Sequence, residues 1–395
     1  MPSALDGVIV ADFSRVLAGP LATATLGDLG ATVIKVESPS GDDTRHWGPP
    51  FVDGESSYFL SVNRNKRSVV LDLRSPSDRA LARTLAARAD VLVENFRPGV
   101  AARLGLGYEE LRADNPRLVY ASITGFGREG AGRELAGYDF LIQAVSGLMS
   151  ITGDAEAQPT KVGVAIIDVL TGLNLLSGVL AALYQRTLSG LGQRVDVSLM
   201  GAALAGLVNQ ASAWLSAGVE PGRDGNRHPS IAPYETLQAR NGLLVLAVGN
   251  DAQFGRLAEA LGRPDLARDP RFVVNSARVA HREELRHELE AVLTQRPADE
   301  WIDRLVAAGL ACGQVNTVAE AFEYAAAVNL VATATIKRAD GTPVEQVASP
   351  LALSGTPVSY RLAPPRLGEH DAEIRRWLED PNAAGANVFE REMKP

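Results

Sequence analysis

The feature that most constrains this chain is an alternation, sustained from Gly7 to Gly127, of short β-branched apolar runs with helix-forming stretches. "GVIVADFS" is followed by the helical "GPLATATLGDLGA" and by a second apolar run, "TVIKVES". "SVVLDL" then precedes the helical "SPSDRALARTLAARA", opened by Ser75 and Pro76, after which come "DVLVENF", the helical "GYEELRADN" and "RLVYASITGFG". Continuous rather than alternating apolar runs are strands covered on both faces. The pattern therefore predicts an α/β fold: a doubly wound, Rossmann-like large domain whose ligands sit beyond the carboxyl ends of the strands. "SAGVEPGRDGNRHPSIAPY" reads as a linker, and "GLLVLAVG" with the amphipathic helices after it as a smaller α+β domain. The expected organisation is a large domain over 1–215, a small domain over 225–330, and a segment over 340–395 that returns to the large domain.

A chain of 395 residues can bury a large core without staples, and its 46% apolar and 22% charged residues are ordinary for a globular protein. The net charge is −8 and the Lys and Arg residues are scattered, which argues against nucleic acid or an anionic membrane as partner. The single cysteine, Cys312, excludes intrachain disulfides and Cys-based metal clusters, and reads as a small packed residue. Of the five histidines, His46, His228, His281, His287 and His370, none lies four residues from another as a helical zinc pair would, so no metal site is expected. The N-terminus shows no basic stretch followed by a long apolar one, and the protein is read as cytoplasmic. "SRVLAGP" offers Gly19 and then Pro20 where a dinucleotide fingerprint needs G-x-G-x-x-G. A nicotinamide-dependent oxidoreductase, with Glu37 on a ribose hydroxyl, stays only as an alternative.

"KVGVAIIDVLTGLNLLSGVLAALY", Lys161 to Tyr184, places one carboxylate, Asp168, in an apolar run. A membrane span is argued against by Asp168, Thr171, Asn174 and Ser177, and by the lack of a basic flank. Two readings remain. In one, Asp168 caps a helix that follows a strand-like "VGVAII"; in the other it is a catalytic carboxylate in a dry site. Cations cluster near strand ends: Arg15, Arg45, and Arg64, Lys66 and Arg67 in "NRNKRS" suit an anionic ligand. Asn95 and Phe96 could hold a heteroaromatic base, and the glycines of "TGFGREGAG" would permit close approach or loop motion. These residues together indicate an α/β enzyme with a phosphate-bearing cofactor.

Taken in order along nearly the whole chain, "RVLAGP", "GATVIKVE", "GDDTRHWGPPF", "NRNKRSVVLDL", "ENFRPG", "RLGLGYEEL", "ITGFG", "AGYDFLIQAVSGLM", "GVAIIDVLTGL", "GQRVDVSLM" and "LGEHD" resemble the class III CoA-transferases, relatives of the α-methylacyl-CoA racemases. The resemblance implies an interlocked homodimer with no prosthetic group, using a coenzyme A thioester and free carboxylic acids as substrates. It implies that Asp168 is the nucleophile, forming a mixed anhydride and then an aspartyl-CoA thioester, with its charge sustained by the helix N-terminus. Leu71, Asn95, Phe96 and Arg103 match positions that contact CoA, and Arg74 lies near a phosphate or adenine contact. Ser38 stands where some members carry an arginine.

Racemases of this superfamily resemble "GHD" where this chain reads "GYD", so two-base epimerisation lacks a base, and Tyr138 and Asp139 are expected to line the acyl pocket. An α-methylacyl-CoA racemase and a non-catalytic CoA-binding protein remain the competing readings. "DDTRHWGPPF" and "SSYFLSVNRNKRS" look most like members acting on succinate and glutarate. A second substrate carboxylate needs a cation, which Arg15 or Arg45 could supply.

Overall fold

The protein is described from a computed structural model covering residues 2–380. It divides into two compact units: one comprises the chain up to Leu148, Lys161–Val219 and the chain from Val331, the other Met149–Thr160 and Glu220–Leu330. The short stretch Met149–Thr160 thus joins the second unit, although it lies inside the span expected for the large domain.

Six strands build the first unit's sheet: β1 (Ile9–Asp12), β2 (Thr32–Glu37), β3 (Lys66–Val70), β4 (Val91–Glu94), β5 (Val119–Thr124) and β6 (Arg194–Ser198). They pair in parallel in the order β3-β2-β1-β4-β5-β6, so the winding direction reverses between β1 and β4. That reversal is where an open α/β sheet leaves a crevice for a ligand. Helices cover both faces, as the strands' all-apolar runs require. One face packs Ile9, Ile34, Val69, Leu92 and Tyr120 against α2 (Pro76–Arg88) and α5 (Asp371–Glu379). The other packs Val10, Val33, Val93 and Ala121 against α1 (Ala18–Asp28) and the long α4 (Ile166–Ser189). α4 is long and apolar enough to cross a bilayer, but Leu175, Val179 and Ala182 lie in this core.

One expectation changes here. The strand-like "VGVAII" is no strand: α4 starts at Ile166, and the residues before it bend at Gly163 and Val164 and pair in no sheet. After β6 the chain forms two helices, Leu199–Gly206 and Val208–Ala217, broken where Val208 takes a positive φ of 44°.

The C-terminal "LGEHD" turn docks on the edge strand β3. Gly368 N–H donates to Ser68 Oγ, Val70 N–H to Asp371 Oδ1, and Ser68 N–H to His370 Nδ1. His370 is therefore a docking residue whose burial lowers its basicity. In the second unit, β7 (Tyr234–Ala239), β8 (Gly242–Ala247) and β9 (Ala311–Gln314) form an antiparallel sheet in the order β9-β8-β7, with Phe254, Leu289 and Trp301 in its core. Burial pushes the Cys312 thiol there up to about 11, so it is a poor nucleophile.

Candidate active site

Beneath the turn between β1 and α1 lies a buried ion network. Lys66 Nζ reaches Asp12 Oδ2 at 3.1 Å and Lys35 Nζ reaches Asp42 Oδ2 at 2.9 Å, all four side chains being inaccessible. Burial alone would raise the Asp12 carboxyl, but Lys66 and Lys35 hold it below its ordinary value. For Lys66 burial prevails and brings the ammonium down to about 8. The network grips the turn. Asp12 accepts from Ser14 N–H, Lys35 donates to Ser14 O, Lys66 to Pro20 O, and Val16 N–H points at the Asp42 carboxylate. Val16 is held at φ 72°, a strained position for a β-branched residue. On the far side, the Asn95 amide accepts from Arg15 N–H and donates to Arg15 O.

This finding corrects the reading of "NRNKRS" as an anion site. Lys66 points into the interior, Arg64 is bidentate to Asp28, and Arg67 is buried beside Glu373. Arg45 is also engaged within the protein. Its guanidinium makes two 2.7 Å bonds to Glu37 through Nε and Nη2, donates to Pro365 O and lies 3.7 Å over the Phe59 ring. Because Glu37 also takes Asp42 N–H and Ser68 Oγ, the oxyidoreductase alternative loses its ribose ligand too.

Beyond the ends of β1, β2, β3 and β4 opens a cavity of about 640 Å³, at the reversal point of the sheet. Phe13, Val36, Leu71, Leu73, Phe96 and Leu104 supply apolar walls, and Arg15, Ser38, Ser40 and Arg74 polar ones, with the carboxylates of Glu37 and Asp72 engaged by Arg45 and Arg74. Such a lining suits a flat base with phosphates alongside. Leu71, Phe96, Arg74 and Arg15 are thereby brought together. Asn95 acts one step back, on the turn that carries Arg15. Arg103 is exposed at the end of the short helix Val100–Arg103, next to the cavity-lining Leu104. Arg74 is 86% exposed and paired with Asp72 at 2.9 Å.

Asp168 is the third residue of α4 and makes no cap to its own helix. The capping carboxylate is Asp139, at the start of α3 (Asp139–Val145): its Oδ1 accepts from Ile167 N–H at 2.7 Å and from Asp168 N–H at 3.2 Å. The reading of Asp168 as cap is thus overturned, and Asp139 takes the structural role instead of only lining an acyl pocket. Asp139 also collects the benefit of the helix N-terminus expected for Asp168. Burial first, and the Asp139 charge second, push the Asp168 carboxyl up to about 7. Asp168 and Gly172 lie on one face of α4, and a Cβ at Gly172 would stand 2.6 Å from Ala18 O. Asp168, one turn earlier, therefore faces the start of α1, where the turn from the cavity ends.

Two contributors escaped the sequence reading. Tyr58, edge-on to Trp47 at 5.2 Å, is raised to about 12 by burial and by the charges of Asp168, Asp139 and Asp42, so its phenol stays protonated. Gln143, buried on α3, binds Asp139. Tyr138 precedes Asp139 and is 67% exposed. Among the described residues there is no cluster of three or more His, Cys, Asp or Glu able to hold a metal.

The strand order, the cavity at its reversal point and the half-buried Asp168 define a doubly wound α/β protein with a ligand site at the carboxyl ends of its strands. The chain belongs to CoA-transferase family III, whose sequence profile matches residues 5–371. It is 43% identical to the succinate–glutarate CoA-transferase of Agrobacterium fabrum over 95% of this chain and 96% of that protein. It is 42% identical to the acetyl-CoA:oxalate CoA-transferase of Acetobacter aceti, over 96% of each chain. The crystal structure of a CAIB/BAIF family protein from Brucella suis superposes with a TM-score of 0.84 at 44% identity, covering 96% of this chain and 100% of that one.

Proposed function

We propose that this CoA-transferase moves CoA from a dicarboxylic acyl-CoA, such as succinyl-CoA, to a free carboxylic acid, with Asp168 as nucleophile. The observation that carries this reading is the position of Asp168: in the first turn of α4, half-buried, with its helix capped by another residue. A carboxylate engaged in capping is held by backbone N–H groups; this one is left for chemistry.

Asp168 attacks the thioester carbonyl, the C–S bond breaks, and CoA thiolate leaves a mixed anhydride. The thiolate attacks the aspartyl carbonyl and expels the donor acid as carboxylate, leaving an aspartyl-CoA thioester. An incoming carboxylate attacks that thioester, releasing thiolate and forming a second anhydride. Thiolate then attacks the acceptor carbonyl, yielding the product and restoring Asp168. Each intermediate is hydrolysable, so the site must exclude water. The Tyr58 phenol stays protonated, because burial and the charges of Asp168, Asp139 and Asp42 push it up to about 12. The cavity holds the nucleotide half of CoA, with Arg15 and Arg74 toward its phosphates, and the gripped turn from Ser14 to Ala18 guides the chain of the thioester to Asp168. The dicarboxylic preference is supported by the Agrobacterium relative. The working unit is proposed to be a cytoplasmic homodimer.

The test is Asp168→Asn with trapping. The variant is expected to fold and to lose transfer by about 10³-fold or more, because an amide cannot form the anhydride. Hydroxylamine should inactivate the wild type only when acyl-CoA is present, leaving a hydroxamate on the peptide containing Asp168. Modification elsewhere, or substantial turnover by the Asn variant, would refute the assignment.

A further inference from the structure

We propose that Gln143 is a positioning residue for the nucleophile: its side-chain amide fastens Asp139 to the segment entering α4, so that Asp139 holds the first N–H groups of the helix and Asp168 faces the substrate. The proposal rests on Asp168 being the nucleophile.

Gln143 lies one helical turn after Asp139 on α3 and is completely buried. Its Nε2 donates to Asp139 Oδ2 at 2.6 Å and, more weakly, to Val164 O at 3.4 Å, while its Oε1 accepts from Val162 N–H at 2.9 Å. One amide thus joins α3 to two points of the entry segment, and Asp139 closes the circuit through Ile167 and Asp168 N–H. The task demands an amide. A glutamate at neutral pH cannot donate to Asp139, and an apolar side chain would leave Val162 N–H and one oxygen of Asp139 without these partners in a half-buried place.

The circuit also fixes a negative charge beside Asp168. The titratable groups that face Asp168 are Asp139, from α3, and Tyr58, from the helix Ser57–Ser61. Tyr58 stays neutral in the assay range, so Asp139 is the charge that, with burial, holds the Asp168 carboxyl near 7. A less stabilised carboxylate is the stronger nucleophile once ionised, at the expense of activity at acid pH.

The experiment measures pH–rate profiles with a dicarboxylic acyl-CoA donor for the wild type, Gln143→Glu, Gln143→Leu and Asp139→Asn, with hydroxylamine mapping on each. Asp139→Asn keeps an acceptor for both N–H groups but removes the charge, and should move the acid limb of kcat down by about one pH unit. Gln143→Glu, nearly isosteric, sets a second carboxylate against Asp139 and should move it up. Gln143→Leu should lower kcat by about tenfold or more with the KM for acyl-CoA within about twofold. If the Leu variant fails to fold, the two isosteric variants carry the test. Acid limbs that coincide with the wild type in both isosteric variants, with the hydroxamate still on Asp168, would overturn the role of Gln143 and leave the nucleophile standing. A wild-type hydroxamate elsewhere would remove the nucleophile first.

Discussion

Asp168 stands where ionisation is costly, and this has a thermodynamic as well as a kinetic consequence. Its carboxyl titrates near 7 when folded and near 3.8 in an ordinary setting, so ionisation between those values opposes the folded state. Stability tied to this group is complete below pH 4 and declines as pH rises toward 7. Asp168→Asn should therefore be more heat-stable than the wild type at pH 8, by about 1–2 kcal/mol after discounting for screening by solvent, with the difference vanishing near pH 4. Thermal melts at both values check it; a variant less stable at pH 8 would return Asp168 to a structural role. Arg15 poses a different question of assignment. The sequence suggests it reads the far carboxylate of the acid, but it lines the same cavity as Leu71, Arg74 and Phe96. Arg15→Gln should raise the KM for acyl-CoA by about tenfold, the order of one charge-assisted bond, and leave the ratio of dicarboxylic to monocarboxylic acceptors unchanged. A collapse of that ratio with acyl-CoA binding intact would reinstate the acid-reading role.

At the level of elements, the crossing of α4 over α1 sets where Asp168 meets the turn from the cavity. Gly172 permits it, because a side chain there would strike Ala18 O, a backbone atom that cannot move aside cheaply. Gly172→Ala should cost about 1–3 kcal/mol and lower kcat as well, since the start of α1 must shift. Gly255→Ala, in the helix Asp251–Ala260 with nothing within 4 Å of the added carbon, should instead gain about 0.5–1 kcal/mol. Chemical denaturation of the two variants separates close approach from helix propensity. The same contrast explains what was legible in the sequence. The strands were, because β-branched runs such as "VIVAD" and "VLVE" can be buried on both faces only in a sheet like this one. "VGVAII" has the same composition but no strand partner; its Val162 N–H and Val164 O bond Gln143 instead, a contact across about twenty residues that no local pattern encodes. Likewise "NRNKRS" looks like an anion site until Asp12 and Asp28 are brought against it, and the residue that caps α4 comes from α3.

For the whole molecule, the first unit leaves apolar side chains outside that its own core cannot cover. Leu173, Tyr184 and Leu188 are 47%, 69% and 73% exposed along one side of α4, and Val208, Trp214 and Leu215 are 69%, 54% and 81% exposed on a helix with no buried residue. Exposed large apolar side chains in such number mark a partner surface in proteins that stay dispersed. The occupant proposed is a second copy of the chain, as the resemblance to interlocked homodimers implies. If the two chains complete each other's cores, dissociation and unfolding are one event, and stability depends on protomer concentration. Sedimentation over a dilution series into the nanomolar range, followed by far-ultraviolet circular dichroism, should show dimer at every concentration at which helix content is retained. The paired change Trp214→Glu with Leu215→Glu should yield unfolded or aggregated chain, since two charges would be carried into an apolar surface. A soluble monomer keeping its secondary structure, in either experiment, would show that the exposed helices are stable without a second copy and would exclude an obligate dimer.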